Sequence, residues 1–381
     1  MEKNREQSRM AMADFLARNE SFQARRQNFM EELGRVVVGL QDEIEDIELA
    51  LYGGGHVFLE GEPGLAKTLL ARVISDLIAG AQFRRVQCTN DLRPLDFLER
   101  IGLFEMQDGA GRSLEGGGKQ LVLRPGPLME AGIVLLDEFN LLPPKVQQVV
   151  REAMEEYQIT FEGRTYPLGR MMDGTDEDGE KKNAIFYTLF ITENPTEKHA
   201  GTYIVPDAIL ERFLVSVYFS YPTTEEEREI AVGPSDAYLT GVLALKKVFT
   251  REELLEEREF IRGAYPQLAR AQSRMTRYVV ALVRALREHP LVGFHKPSPR
   301  ADQDLIITAR VRAYIEGSPV VLPRHVLRVA YATLRGKFDL TDEGEIHCAR
   351  KMEELDRDAW RNIRVPRDYL IYEILRQTPF V

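Results

Sequence analysis

The chain has 381 residues and 43.6 kDa, enough for two or three domains and a sizeable core, and its 44% hydrophobic and 29% charged residues read as globular. A formal net charge of -10 with a pI near 5.4 argues against a duplex-binding surface, which needs a net basic face, although a local basic groove stays open. Cys88 and Cys348 lie far apart and outside any C-x-x-C spacing, which suggests neither a disulfide framework nor a cysteine zinc site and suits a reducing, cytoplasmic setting. Without a run of about 18 apolar residues or an apolar signal core at the start, neither a membrane span nor secretion is expected.

Residues 1–35 are charged, with Met10, Phe15, Phe22, Phe29 and Leu33 recurring near helical spacing, and read as an N-terminal helical extension. That helix is taken to pack on its own domain, with a docking arm for a partner as the other reading. Residues 36–221 alternate short apolar runs with helical stretches. Four runs read as buried strands: 56–60 (HVFLE), 83–88 (FRRVQC), 133–136 (IVLL) and 187–192 (YTLFIT), with 214–219 (LVSVYF) as a fifth. Strands separated by helices imply right-handed crossovers and a parallel sheet covered on both faces. Two interruptions read as hairpins, at 103–123 and 157–168. Residues 171–183 (MMDGTDEDGEKKN) are too polar to pack and read as an acidic loop.

Beyond Pro222 the pattern is helical and punctuated by Pro290, Pro297, Pro299, Pro319 and Pro323, giving an all-helical second domain over 222–345. Thr223 with Glu226 has the form of a capping box at its start. Residues 346–381, with Trp360 and the closing YLIYEILRQTPFV, read either as a last helix on that domain or as a partner contact.

The chemistry-bearing stretch is HVFLEGEPGLAKT. A strand running through a glycine-rich turn into LLARVISDLI gathers backbone N–H groups and a helix N-terminus around one point, as a polyphosphate requires. Glu62, Pro63, Gly64, Leu65 and Ala66 form the loop, with Leu69 just inside the helix. Lys67 reaches the β- and γ-phosphates of ATP or the β-phosphate of ADP, and Thr68 offers its hydroxyl to Mg²⁺. Ala66 stands where the phosphate-loop pattern has glycine. A negative φ is expected there, because the loop is already becoming helix. IVLLDEFN then ends a strand in two acids: Asp137 for the Mg²⁺ shell and Glu138 to orient or deprotonate an attacking water. Asn194 in FITENP can stand beside that water. Arg212 and Arg300 are candidates to meet charge spreading over the γ-phosphate.

The order GEPGLAKT, QCTNDLRPLDFL, LLDEFN, REAMEEYQITFEGRTYPL, FITENP, PDAILERFLV and PSPRA resembles the MoxR group of AAA+ ATPases from about residue 36 to 340. The resemblance implies an α/β fold: an AAA+ parallel-sheet P-loop core with inserted β-hairpins, followed by an all-helical lid domain. It matches Lys67 and Thr68 to the Walker A pair, Asp137 and Glu138 to the Walker B pair, Asn194 to the first sensor, Arg212 to the arginine finger and Arg300 to the second sensor, with Val38 and Gly39 beside the adenine. It also implies a ring, usually hexameric, that hydrolyses ATP at subunit interfaces. The ring would remodel, activate or mature a client complex, often with a partner bearing a von Willebrand factor A domain and sometimes in metal-cofactor insertion.

The chain departs from the group's pattern in three places. Leu141 and Leu142 follow Asn140 where an arginine-bearing segment is frequent, Glu193 replaces a glutamine, and the acidic loop is inserted. These departures bear on the interface and on hydrolysis more than on nucleotide binding. Two further readings keep the fold: a nucleotide-gated scaffold with little hydrolysis, and a nucleic-acid motor. The motor is disfavoured by the acidic charge and by hairpins that carry Arg112, Lys119 and Arg164 but few stacking aromatics.

Overall fold

The computed structural model describes residues 2–105, 119–130, 132–161, 163–168, 186–193, 202–241, 243–263, 272–355 and 362–380. Asn194, the acidic loop 171–183 and Trp360 lie outside the described residues.

Five strands form the central sheet: β1 (His56–Glu60), β2 (Phe83–Gln87), β3 (Ile133–Asp137), β4 (Thr188–Glu193) and β5 (Phe213–Tyr218). Their order is β5-β1-β4-β3-β2 and every pairing is parallel. Alternation along each strand sends Val57, Leu59, Ile133, Leu135 and Phe190 into one buried cluster and Phe58, Val134, Leu136, Leu189 and Ile191 into another, so helices cover both faces. Strand β2 departs from the buried reading. It is an edge strand with Arg85 and Gln87 exposed, because only β3 flanks it.

After β1 the chain crosses to the far edge, returns through β3 to β4 beside β1, and finishes with β5 on β1's other side. The carboxyl ends of β1, β3 and β4 thus come together where the order reverses, the place where open α/β sheets bind ligands. Both hairpins are present, as antiparallel pairs Glu99–Glu105 with Lys119–Pro125 and Gln158–Phe161 with Arg164–Pro167.

The N-terminal helix α1 (Glu2–Gly34) packs on its own molecule. Phe15, Phe22 and Phe29 follow at seven-residue steps, which keeps them on one stripe, and all three are buried with Leu33. Phe22 meets Tyr52 of helix α2 (Gln41–Gly53) and Tyr314, with ring centroids 4.9 and 4.7 Å away. Asn19 donates to Tyr314 O at 2.7 Å and Gln23 to Ile315 O at 2.7 Å, satisfying carbonyls at the C-terminus of the helix Pro299–Ile315.

The helices after 222 form the expected helical part, packed on one another and against the α/β core. Leu254, Leu282, Leu305, Val329 and Leu370 share one buried cluster with Ile47 of α2 and Val215 of β5. Thr223 opens the helix Thr224–Ile230 with the expected capping box, donating its N–H to Glu226 Oε2 at 2.7 Å and accepting from Glu226 N at 3.3 Å. The closing segment forms the helix Pro366–Gln377, packed against this helical part, and of its two readings the last-helix one describes what is seen. Among the described residues no helix is long and apolar enough to cross a membrane.

Candidate active site

Strand β1 hands the chain to the loop at Gly61, whose φ is +143°; a Cβ there would stand 2.8 Å from Phe219 O, so only glycine fits beside β5. Ala66 corrects the sequence expectation. Its φ is +59° and ψ 15°, a left-handed conformation that a methyl group tolerates at a cost of about 1 kcal/mol. The turn into helix α3 (Lys67–Asp76) demands that angle whatever residue stands there. Because Ala66 has no side-chain cap to offer and the first turn holds no acid, the helix's leading N–H groups face the loop uncapped, a ready anion site. Lys67 is 9% exposed and folds back over the loop, its Nζ donating to the carbonyls of Gly61 and Glu62.

Strand β3 ends in Asp137, 8% exposed. Its Oδ1 accepts from Thr192 Oγ1 at 2.5 Å; its Oδ2 accepts from Thr68 Oγ1 at 3.3 Å and from Arg85 Nε and Nη2 at 2.9 and 2.6 Å. Glu138 adopts φ +59° as the chain leaves the sheet, with its N–H held by Thr192 Oγ1 at 2.9 Å and its carboxylate by Gln87 Nε2 at 2.7 Å. A hydroxyl and a carboxylate on neighbouring elements are hard oxygen donors, the set that suits Mg²⁺.

These groups line one cleft of about 940 Å³ that also takes in Arg72, Arg85, Thr192, Glu193 and Leu239. An apolar slot of about 100 Å³ continues from it between Val37, Val38 and Leu40 on one side and Leu65, Leu69 and Pro222 on the other. Gly39, with φ +66°, turns the chain above that slot, where a Cβ would strike the Glu226 carboxylate.

Glu193 sits at the end of β4 in register with Glu60 of β1. Burial pushes its carboxyl up to about 7, with the Glu60 carboxylate adding to the shift and the Arg367 guanidinium opposing it. Arg367, at the start of the last helix, pairs with Glu60 at 3.0 Å, so the C-terminal segment touches the strand that feeds the phosphate loop.

Arg212 and Arg300 are not among the cleft-lining residues. Arg212 Nε donates to Glu155 Oε2 at 3.1 Å, a second guanidinium nitrogen reaches the same oxygen, and another donates to Ala208 O. Glu155 lies in helix α4 (Pro144–Glu156). Its carboxyl is held below the usual range, first by the Arg212 hydrogen bond and further by the charges of Arg212, Arg300 and Arg151. Arg300 opens the helix Pro299–Ile315, its N–H bound to the Ser298 cap at 3.2 Å. Arg212 is thus paired with Glu155, and the charge of Arg300 acts on the same carboxyl.

Residues 56–215 match the family of ATPases associated with various cellular activities (AAA). The chain is 31% identical over 320 residues to Chaperone MoxR1 of Mycobacterium tuberculosis, covering 81% of this chain and 74% of that one. It is 30% identical over 337 residues to the uncharacterised YeaC of Bacillus subtilis, covering 88% and 93%. The chain belongs to the MoxR family of AAA+ ATPases. Protein MoxR of Methylorubrum extorquens is 24% identical over 363 residues. A solved structure from Cytophaga hutchinsonii superposes with a TM-score of 0.71 at 25% identity over 96% of this chain and 97% of that one.

The sequence reading missed Arg85, Gln87 and Thr192 in this MoxR-family cleft, and Glu155 beside Arg212 outside it. Arg85 and Gln87 carry a signal: in FRRVQC, positions 83, 85 and 87 share one face, and the β2–β3 register sets Gln87 beside Asp137. The signal acquires meaning only once β2 is known to neighbour β3. Thr192 and Glu155 stand far from Asp137 and Arg212 in sequence and carried none.

Proposed function

We propose that this MoxR-family chain is an Mg²⁺-dependent ATPase whose copies assemble into a ring, hexameric by family resemblance, and drive a chaperone's remodelling or maturation of a client protein complex in the cytoplasm. One observation carries the reading. Lys67, Thr68, Asp137 and Glu138 meet in one cleft, whereas Arg212 and Arg300 are not among its lining residues, and Arg212 is paired on a second face with Glu155. A head-to-tail ring brings the second face of one copy to the cleft of the next, which supplies the guanidiniums the cleft does not take from its own chain.

In that arrangement the phosphate loop binds and orients the polyphosphate, and Lys67 leaves the Gly61 and Glu62 carbonyls for the phosphate oxygens. Mg²⁺ bound by Thr68 and Asp137 would supply Lewis-acid neutralisation of the β- and γ-phosphate oxygens. Glu138 accepts the proton of the attacking water, and Arg212 of the neighbour meets charge developing on the equatorial oxygens. The two hairpins would deliver the motion to the client, met through a partner with a von Willebrand factor A domain and in some settings for metal-cofactor insertion. Asn194 is proposed as the residue that positions the water, and the Val38–Gly39 turn as the adenine contact.

Mixing two inactive variants tests the reading. Glu138→Gln and Arg212→Ala should each abolish steady-state phosphate release, and an equal mixture should regain a measurable part of it, because an Arg212→Ala cleft is completed by a Glu138→Gln neighbour. A mixture as inactive as its components would exclude catalysis across an interface.

A further inference from the structure

We propose that Arg85 is the resident counterion of Asp137 and competes with Mg²⁺ for its carboxylate, so that the metal requirement for nucleotide binding is set in part by the edge strand. The inference rests on the ATPase reading and concerns how that same site is regulated.

An ionised carboxylate offers about four acceptor positions. Asp137 meets four donors: Thr192 Oγ1 on Oδ1, and Thr68 Oγ1, Arg85 Nε and Arg85 Nη2 on Oδ2. Oδ1 keeps an acceptor position, but Oδ2, the oxygen beside Thr68, already carries three donors on two lone pairs, so a cation, or a water of its shell, that is shared with Thr68 reaches Oδ2 only when a donor leaves. Thr192 is 2% exposed and also holds the Glu138 N–H, so its departure would unmake the end of β3. Thr68 is itself a candidate ligand. Arg85 is the donor free to go: its side chain is 48% exposed, on a strand with one neighbour, with open cleft beside it.

The competition is electrostatic as well as steric. Oδ2 is the oxygen shared by Thr68 and the guanidinium, so a divalent cation gripping Thr68 and Asp137 together would stand close to a full positive charge, a repulsive placement at any dielectric. Arg85 is also anchored in place by Gln87 Oε1, which accepts from Nη2 at 2.7 Å. Its fork brings Nε and Nη2 together onto the single oxygen Oδ2, a two-donor contact that a lysine's point charge does not reproduce. Strand periodicity explains why the residue is so placed, since positions 83, 85 and 87 share one side of the strand and the register sets Gln87 beside Asp137.

The test is the Mg²⁺ dependence of equilibrium binding of a fluorescent, non-hydrolysable ATP analogue, followed by anisotropy on the full chain and on Arg85→Gln and Arg85→Lys. Arg85→Gln should lower the half-saturating Mg²⁺ concentration by roughly 3- to 10-fold, with Arg85→Lys between it and the parent. Binding of the analogue in EDTA should not weaken. An unchanged Mg²⁺ midpoint in both variants overturns the proposal. So does weaker analogue binding both with and without Mg²⁺, which would make Arg85 a phosphate ligand. A parent chain that binds no analogue at any Mg²⁺ concentration would instead sink the ATPase reading itself. Matched thermal melts without nucleotide confirm that the variants are folded.

Discussion

The cleft and the arginine face of this chain balance their charges in opposite ways. In the cleft nearly every charged group is answered from within: Lys67 by loop carbonyls, Asp137 by two hydroxyls and Arg85, Glu138 by Gln87. On the other face Arg212 pairs with Glu155, a half-exposed carboxylate on a helix end that also feels the charge of Arg300. An exposed pair of this kind is worth only about 0–1 kcal/mol and yields easily to a more highly charged partner. On the proposed reading, the first region is opened by a ligand and the second offers a guanidinium to one.

The comparison breaks most sharply at turnover. Arg212→Ala should lower steady-state phosphate release by roughly 10³-fold or more while the analogue still binds, if the residue acts as proposed on developing charge rather than on the ground state. Glu138→Gln should reduce release by roughly 10²- to 10⁴-fold with binding retained, the scale of a general base. Full activity in either variant would remove the division of labour between the two faces.

A second test concerns Glu193, which belongs to the cleft yet lacks an answering charge. Unfolded, its carboxyl takes a proton only near the ordinary 4.5; folded, it does so near 7. The folded chain thus holds more protons over that interval, and stability falls as pH rises from about 4.5 through 7 and stays lower above it. Glu193→Gln removes that loss. It should leave melting at about pH 4 nearly unchanged and raise stability at about pH 8 by up to about 3 kcal/mol, read from paired denaturation curves. Asp46, pushed up to about 7 by burial with nearby Arg335, Arg328 and Arg364 opposing, retains its own slope in both proteins. Equal gains at the two pH values would deny that Glu193 is the titrating group.

The smallest expected effect lies in the loop. Ala66→Gly relieves a left-handed alanine and should add about 0.5–1 kcal/mol in urea unfolding, with little change in nucleotide affinity. A loss of stability would mean that the loop tolerates the methyl without strain.

How far the sequence was legible follows from how local each signal is. The five strands, the capping box at Thr223, the buried stripe of α1 and the assembly of Lys67, Thr68, Asp137 and Glu138 were readable because period-2 and helical spacing, turn residues and motif order are written over a few consecutive positions. The position of β2 at the sheet edge was not, since FRRVQC reads alike whether one strand or two flank it. Nor was the φ of Ala66, which depends on the angle between β1 and α3 rather than on alanine's own preference.

By itself, then, the sequence determined the α/β core, the phosphate loop and which acids stand beside it, because chain order and periodicity bring those groups to the carboxyl ends of parallel strands. Tertiary structure alone decided which charge answers which. Arg85 meets Asp137 across a strand pairing, Arg367 meets Glu60 across most of the chain, and Arg212 meets Glu155 from 57 residues away. Electrostatic partnership depends on distance in space, and residues remote in sequence carry no mark of it until the sheet order and the packing are fixed.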